Sequence, residues 1–150
     1  MNLNHLQTLD DFRQKAKTRL PKMVFGYIDG GAGEGLAVDR NSNAFRRILL
    51  QPRSLKDVTI RDRSKQLLGK KWEHSFGIAP MGLCNVANPK ADQLLARSAK
   101  RFGLPLCVST AASTTIEEMY RLAGGNIWFQ LYMGSSKEGT LKLVDRAREV

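Results

Sequence analysis

"LPLCVSTAASTTIEEMYRLAGGNIWFQLYM", residues 104 to 133, is the stretch that decides the fold. It contains two short apolar runs, LPLCVST (104–110) and NIWFQLYM (126–133), which have the length and composition of buried strands. Between them, STTIEEMYRLAGG has a hydroxyl residue, Ser113 or Thr114, near the predicted helix start and a glycine pair at its end. The stretch predicts a strand, a helix and a second strand. Strands that are apolar on both faces indicate a parallel sheet.

The same alternation extends in both directions from this stretch. Upstream, the run FGIAP precedes a predicted helix, PKADQLLARSAKRFG, which Gly103 ends and whose apolar side is Ala91, Leu94, Leu95 and Ala99. Downstream, SSKEGTLKLVDRAREV predicts a third helix. The strands start near residues 76, 106 and 127, so the spacings are 30 and 21 residues. This β-α-β-α-β-α order suits a (β/α) barrel or a doubly wound sheet.

The residues before the first strand predict two smaller segments within the same single domain. Residues 1–51 read as short helices, TLDDFRQKAKTRL with Thr8 as its N-cap, PKMVFGYIDG and GLAVDRNSNAFRRIL. Residues 52–74 contain two strand-like pieces, SLKDVTIRD and KQLLGKKWE, around a polar turn, and predict a small hairpin. The three βα units then occupy residues 75–150.

The glycine-rich stretch YIDGGAGEG, residues 27–35, raises the question of a phosphate-binding loop. A dinucleotide fingerprint follows a strand and opens a helix, whereas this stretch follows a predicted helix and has the spacing G-x-G-x-G. We interpret it as a turn between helices with glycines in left-handed conformations. From spacing alone, Tyr27 is interpreted as a buried structural tyrosine, although a phenol near a helix end is also placed to bind a ligand.

The net charge of +10 comes largely from residues 46–71. That segment has nine basic and two acidic residues and contributes +7. A solvated face is the interpretation we favour, and an anionic membrane surface or an acidic partner are the alternatives. Nucleic acid is not expected, because no aromatic residue that would stack on bases is interleaved before Trp72.

Length and cysteine usage place the chain in a broad class. The 150 residues suffice for one domain, no run of 18 apolar residues predicts a transmembrane helix, and the start, MNLNHLQTLDDFRQKAK, lacks the apolar stretch of a signal peptide. Cys84 and Cys107 lie 23 residues apart, which is no metal or redox spacing. We interpret them as small buried residues, since cytosolic thiols stay reduced, and we expect a cytoplasmic protein without a metal site.

Five segments carry a resemblance to a known family: LPKMVFGYIDGGAGEG, NSNAFRRILLQPR, GIAPMGL, LCVSTAASTTIEEM and WFQLY. In this order the chain, from about residue 8 to 150, resembles the FMN-dependent 2-hydroxy acid oxidoreductases, the family of L-lactate dehydrogenase, lactate oxidase, glycolate oxidase and mandelate dehydrogenase. The resemblance implies a (β/α)8 TIM barrel, preceded by a helical segment and a short hairpin that closes its bottom. It also implies oxidation of (S)-2-hydroxy acids to 2-oxo acids, with FMN as the cofactor.

The resemblance assigns five cofactor-binding residues to the carboxyl ends of the strands, where barrels of this type have their sites. The backbone of Pro80, Met81 and Gly82 would lie against the flavin ring near its reactive nitrogen. Ser109 and Gln130 are neutral hydrogen-bonding residues that suit the pyrimidine edge of the ring. Without the resemblance, Gln130 would be interpreted as a packing residue at a strand end.

The resemblance also assigns the substrate residues. Tyr27 would bind the substrate carboxylate, and Tyr132 would be a catalytic and substrate-binding tyrosine at the carboxylate or hydroxyl end. Ala111 stands where plant glycolate oxidases have a bulky tryptophan, and a small residue there leaves room beside the substrate α-carbon. L-Lactate or a larger 2-hydroxy acid is therefore expected in preference to glycolate.

Other parts of the family's machinery are expected beyond Val150. These are the catalytic histidine, the substrate-binding arginines, a lysine and the phosphate-binding loops, so we expect the 150-residue chain to be an incomplete part of the enzyme, inactive by itself. His5, in a polar leader, and His74 are interpreted as bystanders, because His74 precedes the first strand and cannot reach its carboxyl end.

The resemblance also bears on partners. Relatives suggest a homotetramer, and the basic segment suits a dehydrogenase in peripheral contact with the inner membrane that passes electrons to quinone. The alternative is a non-catalytic half-barrel remnant that holds an anionic partner through residues 46–71.

Overall fold

A computed structural model describes residues 5–150 of the chain. The chain divides into two compact units, Met1–Val58 and Thr59–Val150. The boundary after Val58 falls inside residues 52–74, the segment predicted to form the hairpin. The first unit contains only helices, and the second contains all four strands of the described residues.

The first unit has three short helices, α1 (Leu9–Arg19), α2 (Lys22–Asp29) and α3 (Leu36–Arg46). Helix α1 begins as predicted, because the Thr8 side chain accepts from the N–H of Asp11 and the Asp11 carboxylate accepts from the N–H of Thr8. An ion pair joins α1 to α2, with Arg13 Nη2 donating to Asp29 Oδ2 at 3.0 Å. None of the residues in these three helices is buried.

The turn between α2 and α3 confirms the interpretation of the glycine stretch as a structural turn. Gly33 and Gly35 have φ of +58° and +78°, in the left-handed region that favours glycine, and Gly35 is the N-cap of α3. The preceding element is a helix that ends at Asp29. The stretch is therefore not the strand-to-helix turn of a dinucleotide-binding motif.

The second unit begins with a hairpin of two antiparallel strands, β1 (Lys65–Leu67) and β2 (Lys70–Trp72). Leu68 and Gly69 connect them, both with positive φ, as the tightest two-residue hairpin turns require. The prediction that SLKDVTIRD supplies one strand is wrong, since residues 54–62 contain no strand. The whole hairpin lies within KQLLGKKW.

Two parallel strands form the centre of the second unit. Strand β3 (Leu106–Ser109) pairs with β4 (Ile127–Gln130), and the register places Ser109 opposite Gln130. The first predicted strand, FGIAP, is reduced to one parallel bridge between Ile78 and Leu106. It ends early because Pro80 has no N–H to donate to a ladder.

The second unit also contains four helices, α4 (Cys84–Ala87) and α5 (Ala91–Arg101) before β3, α6 (Ile116–Ala123) between β3 and β4, and α7 (Lys137–Arg148) after β4. Together with the bridge at Ile78 they give the βα alternation that the sequence predicted, with α4 as a short addition. The N-cap of α6 is Thr115, which accepts from Glu118 N, so the prediction of Ser113 or Thr114 was off by one or two residues.

The core lies between the strands and helices α5 and α6, and consists of Ala96, Ala99, Leu106, Val108, Met119, Leu122 and Ala123. Leu94 was expected on the buried side of α5 but is exposed, whereas Asp92 of the same helix is buried. The buried face is therefore rotated from the predicted one. Because side chains alternate along a strand, Leu106 and Val108 face these helices while Ser109 faces the opposite side of the sheet.

The hairpin packs at the amino end of β4. The rings of Trp72 and Trp128 meet edge to face with centroids 5.8 Å apart, and Lys70 Nζ donates to Asn126 Oδ1 at 2.6 Å. Asn126 directly precedes β4, so the carboxyl ends of the strands lie away from the hairpin. This arrangement agrees with the expected position of the hairpin at the bottom, although closure of a complete barrel remains a prediction.

Candidate functional site

Ser109 and Gln130 form a hydrogen-bonded pair at the carboxyl ends of β3 and β4. The Ser109 hydroxyl donates to Gln130 Oε1 at 3.0 Å and accepts from the N–H of Ala111 at 3.1 Å. Ser109 is buried, with 4% of its surface exposed, and Gln130 is half-buried. The Ser109 hydroxyl thus uses both its donor and its acceptor within the protein. No residue in the described part of the chain accepts a hydrogen bond from Gln130 Nε2. The pair presents an amide donor at the strand ends.

The loop after the first bridge lies beside the loop after β3. Leu83 N donates to Ala111 O at 3.0 Å, and a Cβ atom added to Gly82 would lie 3.1 Å from Ala111 Cβ. A side chain at position 82 would be tight against Ala111 and would require a shift of a few tenths of an ångström, so glycine favours this approach. Pro80 and Met81 are exposed next to this contact. The structure therefore brings the predicted cofactor loop and the predicted substrate residue Ala111 together.

Leu83, immediately after this loop, has a strained backbone. Its φ is +55°, which is uncommon for a residue with a Cβ atom, and it is the N-cap of α4. Such conformations persist only where the surrounding structure holds them. The bond from Leu83 N to Ala111 O is one contact that does so.

Tyr132 follows β4 and is held through its backbone. Its N–H donates to Thr110 Oγ1 at 3.0 Å, while its side chain is 61% exposed. The structure thus places Tyr132 two residues beyond Gln130 at the carboxyl end of β4, where the sequence predicted it.

Tyr27 belongs to the first unit, near the end of α2. It is 74% exposed, so the interpretation of a buried structural tyrosine is wrong. Its exposed phenol is compatible with the ligand-binding role that the resemblance implies. The four other predicted site segments, at residues 80–82, 109, 111 and 130–132, all lie in the second unit.

Asp92 is a buried residue that sequence reasoning missed. Only 2% of it is exposed, and its Oδ2 accepts from Ser113 N at 2.7 Å. Its own N–H donates to Asn85 Oδ1 at 3.3 Å, so it links the loop after β3 to the segment after the first bridge. Burial, and after it the charge of Asp92, raise the pKa of the Cys84 thiol. The only feature of Asp92 visible in the sequence was its position in the first turn of a helix. Acidic residues at that position usually face solvent.

His74, the histidine of the second unit, lies on the amino side of the first bridge. His74 precedes the Ile78 bridge by four residues, and its ring packs near Phe76 with centroids 5.4 Å apart. His5 is exposed in the first unit. Within residues 5–150, no three side chains of the kinds that bind metals cluster to hold an ion.

The sequence model of FMN-dependent dehydrogenases matches residues 16–150. The chain belongs to the FMN-dependent dehydrogenase family. FMN is the cofactor that this family indicates.

Similar members of the FMN-dependent dehydrogenase family act on different 2-hydroxy acids, as their names say. The chain is 38% identical to (S)-mandelate dehydrogenase of Pseudomonas putida over 86% of its own length and 33% of the relative's. It is 36% identical to a putative L-lactate dehydrogenase of Mycobacterium tuberculosis, covering 93% and 34% of the two chains. It is 34% identical to glycolate oxidase of Spinacia oleracea, covering 95% and 38%. The chain thus spans little more than a third of these relatives.

Solved structures of FMN-dependent dehydrogenases match the fold. A structure of an active mutant of (S)-mandelate dehydrogenase has a TM-score of 0.90 and 36% identity, and the match covers 97% of this chain and 41% of that one. A mandelate oxidase structure has a TM-score of 0.88 and 30% identity, with 95% and 41% covered. The fold is therefore part of an α/β barrel. None of its helices within residues 5–150 is long and apolar enough to cross a membrane.

The residues at the strand ends fit the flavin of the FMN-dependent dehydrogenases. The Gln130 amide leaves its Nε2 donors available, which suits the carbonyl oxygens of a flavin pyrimidine edge. Gly82 provides exposed backbone without a side chain, which suits close approach to a flat ring. Ser109 and Gln130 are both neutral, which suits hydrogen bonds to an uncharged ring edge.

Proposed function

We propose that this chain is the amino-terminal third of a flavoenzyme that oxidises (S)-2-hydroxy acids to 2-oxo acids. The observation that carries the proposal is the Ser109–Gln130 pair at the carboxyl ends of the parallel strands, beside the contact of Gly82 with Ala111. The names of the relatives, which include mandelate, lactate and glycolate enzymes, support the same substrate class. FMN, when bound, accepts the two electrons that leave the substrate.

The residues of this chain bind and orient in this proposal. Gln130 Nε2 would donate to the pyrimidine edge of FMN, and Ser109 would hold the Gln130 amide in the orientation that exposes this nitrogen. The backbone of residues 80–82 would hold the ring. The Tyr132 phenol would donate a hydrogen bond to the carboxylate or hydroxyl end of the substrate, and Tyr27 would bind the substrate carboxylate by a hydrogen bond.

L-Lactate is the substrate we propose. Ala111 is exposed at the mouth of the site and ends in a single methyl group, so it leaves room beside the α-carbon of a substrate larger than glycolate. One methylene in a packed pocket is worth about 1–3 kcal/mol, which is enough to set a preference between 2-hydroxy acids.

The proton of the substrate hydroxyl goes to a base outside these 150 residues in this proposal. His74 lies before the Ile78 bridge, towards the amino ends of the strands, and strands of five residues rise about 17 Å. A base must come within hydrogen-bonding distance of the proton it removes. We therefore expect residues 1–150 to be inactive without the rest of the barrel.

The test compares residues 1–150 with the full-length flavoprotein that contains them. L-Lactate, (S)-mandelate and glycolate are supplied with FMN and an artificial dye, and the initial rate of dye reduction is measured against free FMN. We expect turnover, fastest with L-lactate, only from the full-length protein. Absence of both flavin binding and turnover in the full-length protein would favour the non-catalytic remnant instead.

We propose a peripheral membrane location for the enzyme. Leu49, Leu50 and Leu55 are exposed among the basic residues of segment 46–71, and exposed leucines with basic neighbours suit an anionic lipid surface. The full-length protein should sediment with vesicles of about 30% anionic lipid at low salt and stay in solution with neutral vesicles. Equal sedimentation with both would remove the electrostatic basis of this location.

A further inference from the structure

The hydroxyl of Thr110 ends the parallel ladder between β3 and β4. Thr110 N donates to Gln130 O at 3.0 Å, as a regular rung does. The next rung of a parallel ladder would run from Tyr132 N to the main-chain carbonyl of Thr110. It runs instead to Thr110 Oγ1 at 3.0 Å, and the same hydroxyl donates to Gln130 O at 2.7 Å. A side chain thus replaces the backbone acceptor at the last rung.

This replacement determines where Tyr132 leaves the sheet. With its N–H bonded to a side-chain oxygen, the chain turns away from β3 one rung early. The Tyr132 side chain is 61% exposed, and its phenol oxygen has no hydrogen-bond partner within residues 5–150. Its position in the described part of the chain is therefore set mainly by its backbone, and the Thr110 hydroxyl holds that backbone.

We propose that Thr110 is a positioning residue that places the Tyr132 phenol for the 2-hydroxy acid. The inference rests on the proposed function, because it gives Tyr132 its substrate. It assigns the effect to the hydroxyl alone. Serine at position 110 keeps the hydroxyl and both of its hydrogen bonds. Valine keeps the shape of the side chain but lacks the hydroxyl, so Tyr132 N is free to donate to the main-chain carbonyl of residue 110. The bond from Thr110 N to Gln130 O survives in both variants, so FMN binding is not involved.

The experiment compares five forms of the full-length flavoprotein. They are the wild type, Thr110→Val, Thr110→Ser, Tyr132→Phe and the double variant that combines Thr110→Val with Tyr132→Phe. Steady-state kcat and KM are measured with the best 2-hydroxy acid, and the FMN Kd is measured by flavin fluorescence. A crystal structure of T110V locates the acceptor of Tyr132 N. Thr110→Ala replaces T110V if the valine variant yields no folded protein, since it also lacks the hydroxyl.

T110V should lower kcat/KM about tenfold and T110S less than about twofold, with the FMN Kd within about twofold throughout. In the Y132F background T110V should change kcat/KM by less than about twofold, because a residue that acts through Tyr132 has nothing left to position. The T110V crystal structure should show Tyr132 N bonded to the carbonyl of residue 110.

Three results would overturn the proposal: unchanged kcat/KM in T110V, an equal loss in T110S, or the same loss with and without the Tyr132 hydroxyl. If the wild type oxidises no 2-hydroxy acid, the proposed function fails separately. The T110V crystal structure then still decides about Thr110, because an unmoved Tyr132 backbone would refute the positioning role without any kinetic measurement.

Discussion

Replacing Gln130 by alanine tests the assignment of the flavin site directly. The Gln130 side chain accepts one hydrogen bond from Ser109, and no residue in the described part of the chain accepts from its Nε2. Losing a hydrogen bond to a polar ring edge costs about 1–3 kcal/mol, so Gln130→Ala should weaken FMN binding about 5- to 140-fold. The assay is fluorescence titration of the apoprotein with FMN, using the full-length protein.

Ser109→Ala is the matched control for this change. It leaves the Gln130 amide in place and removes only the hydroxyl that orients it, so FMN affinity should fall by less than about threefold. Both variants lose the Ser109–Gln130 bond, so a similar loss of thermal stability is expected in each. The reasoning is refuted if Gln130→Ala binds FMN as the wild type does while Ser109→Ala binds it weakly. Ser109 would then be the flavin contact.

Four further predictions concern separate parts of the molecule. Tyr27→Phe should raise KM for 2-hydroxy acids about 10- to 100-fold at unchanged FMN content, and a silent substitution in steady-state kinetics would exclude Tyr27 from the substrate site. Ala111→Trp should raise the ratio of kcat/KM for glycolate over lactate about tenfold, and an unchanged ratio would place residue 111 outside the pocket. Asp92→Ala should cost about 1–3 kcal/mol in urea denaturation by removing the acceptor of the Ser113 N–H, whereas Asp92→Asn should cost less because it keeps an oxygen acceptor. Arg146 lowers the pKa of Glu117 from 4.5 to about 2 through a side-chain hydrogen bond, so the pair stabilises the fold above pH 4.5 and stops doing so as pH falls through 2. Glu117→Gln should therefore lower Tm at pH 7 but not at about pH 1.5, and equal Tm values at pH 7 would show that the pair contributes nothing.

Much of the fold could be predicted because its helix ends are determined by local chemistry. Thr8 and Asp11 close a capping box within four residues, and Gly103 and Gly124 take the positive φ that ends a helix. The parallel order of the strands followed from their apolar runs and from the helices between them. These features depend on neighbours in sequence.

The errors in the fold arise from contacts between distant residues. Leu94 has the helical spacing of a core residue, yet the core of the described residues lies on the side of Ala96 and Ala99. The piece SLKDVTIRD has strand-forming residues but no strand pairs with it, because the tight turn at Gly69 brings the hairpin strands together inside KQLLGKKW. Helix packing decides the first case and strand pairing the second.

The positions of Ser109 and Gln130 could be predicted from the sequence, but their connection could not. Ser109 and Gln130 were each placed at a strand end, but their hydrogen bond depends on a register that only the folded sheet reveals. Thr110 and Asp92 were not predicted, since neither residue type signals a positioning role in a sequence. Their contacts become visible only when residues about 20 positions apart meet.

The absence of buried residues in helices α1, α2 and α3 has a consequence for how this protein can be divided. Helices of 11, 8 and 11 residues are shorter than the 12–15 or so that isolated helices need in water, and these three bury no residue of their own. Residues 1–58, expressed as a peptide, should therefore give a circular dichroism spectrum close to that of a coil. A boundary for expression or for chimeras drawn after Val58, where the first compact unit ends, would give a piece whose helices have no core of their own.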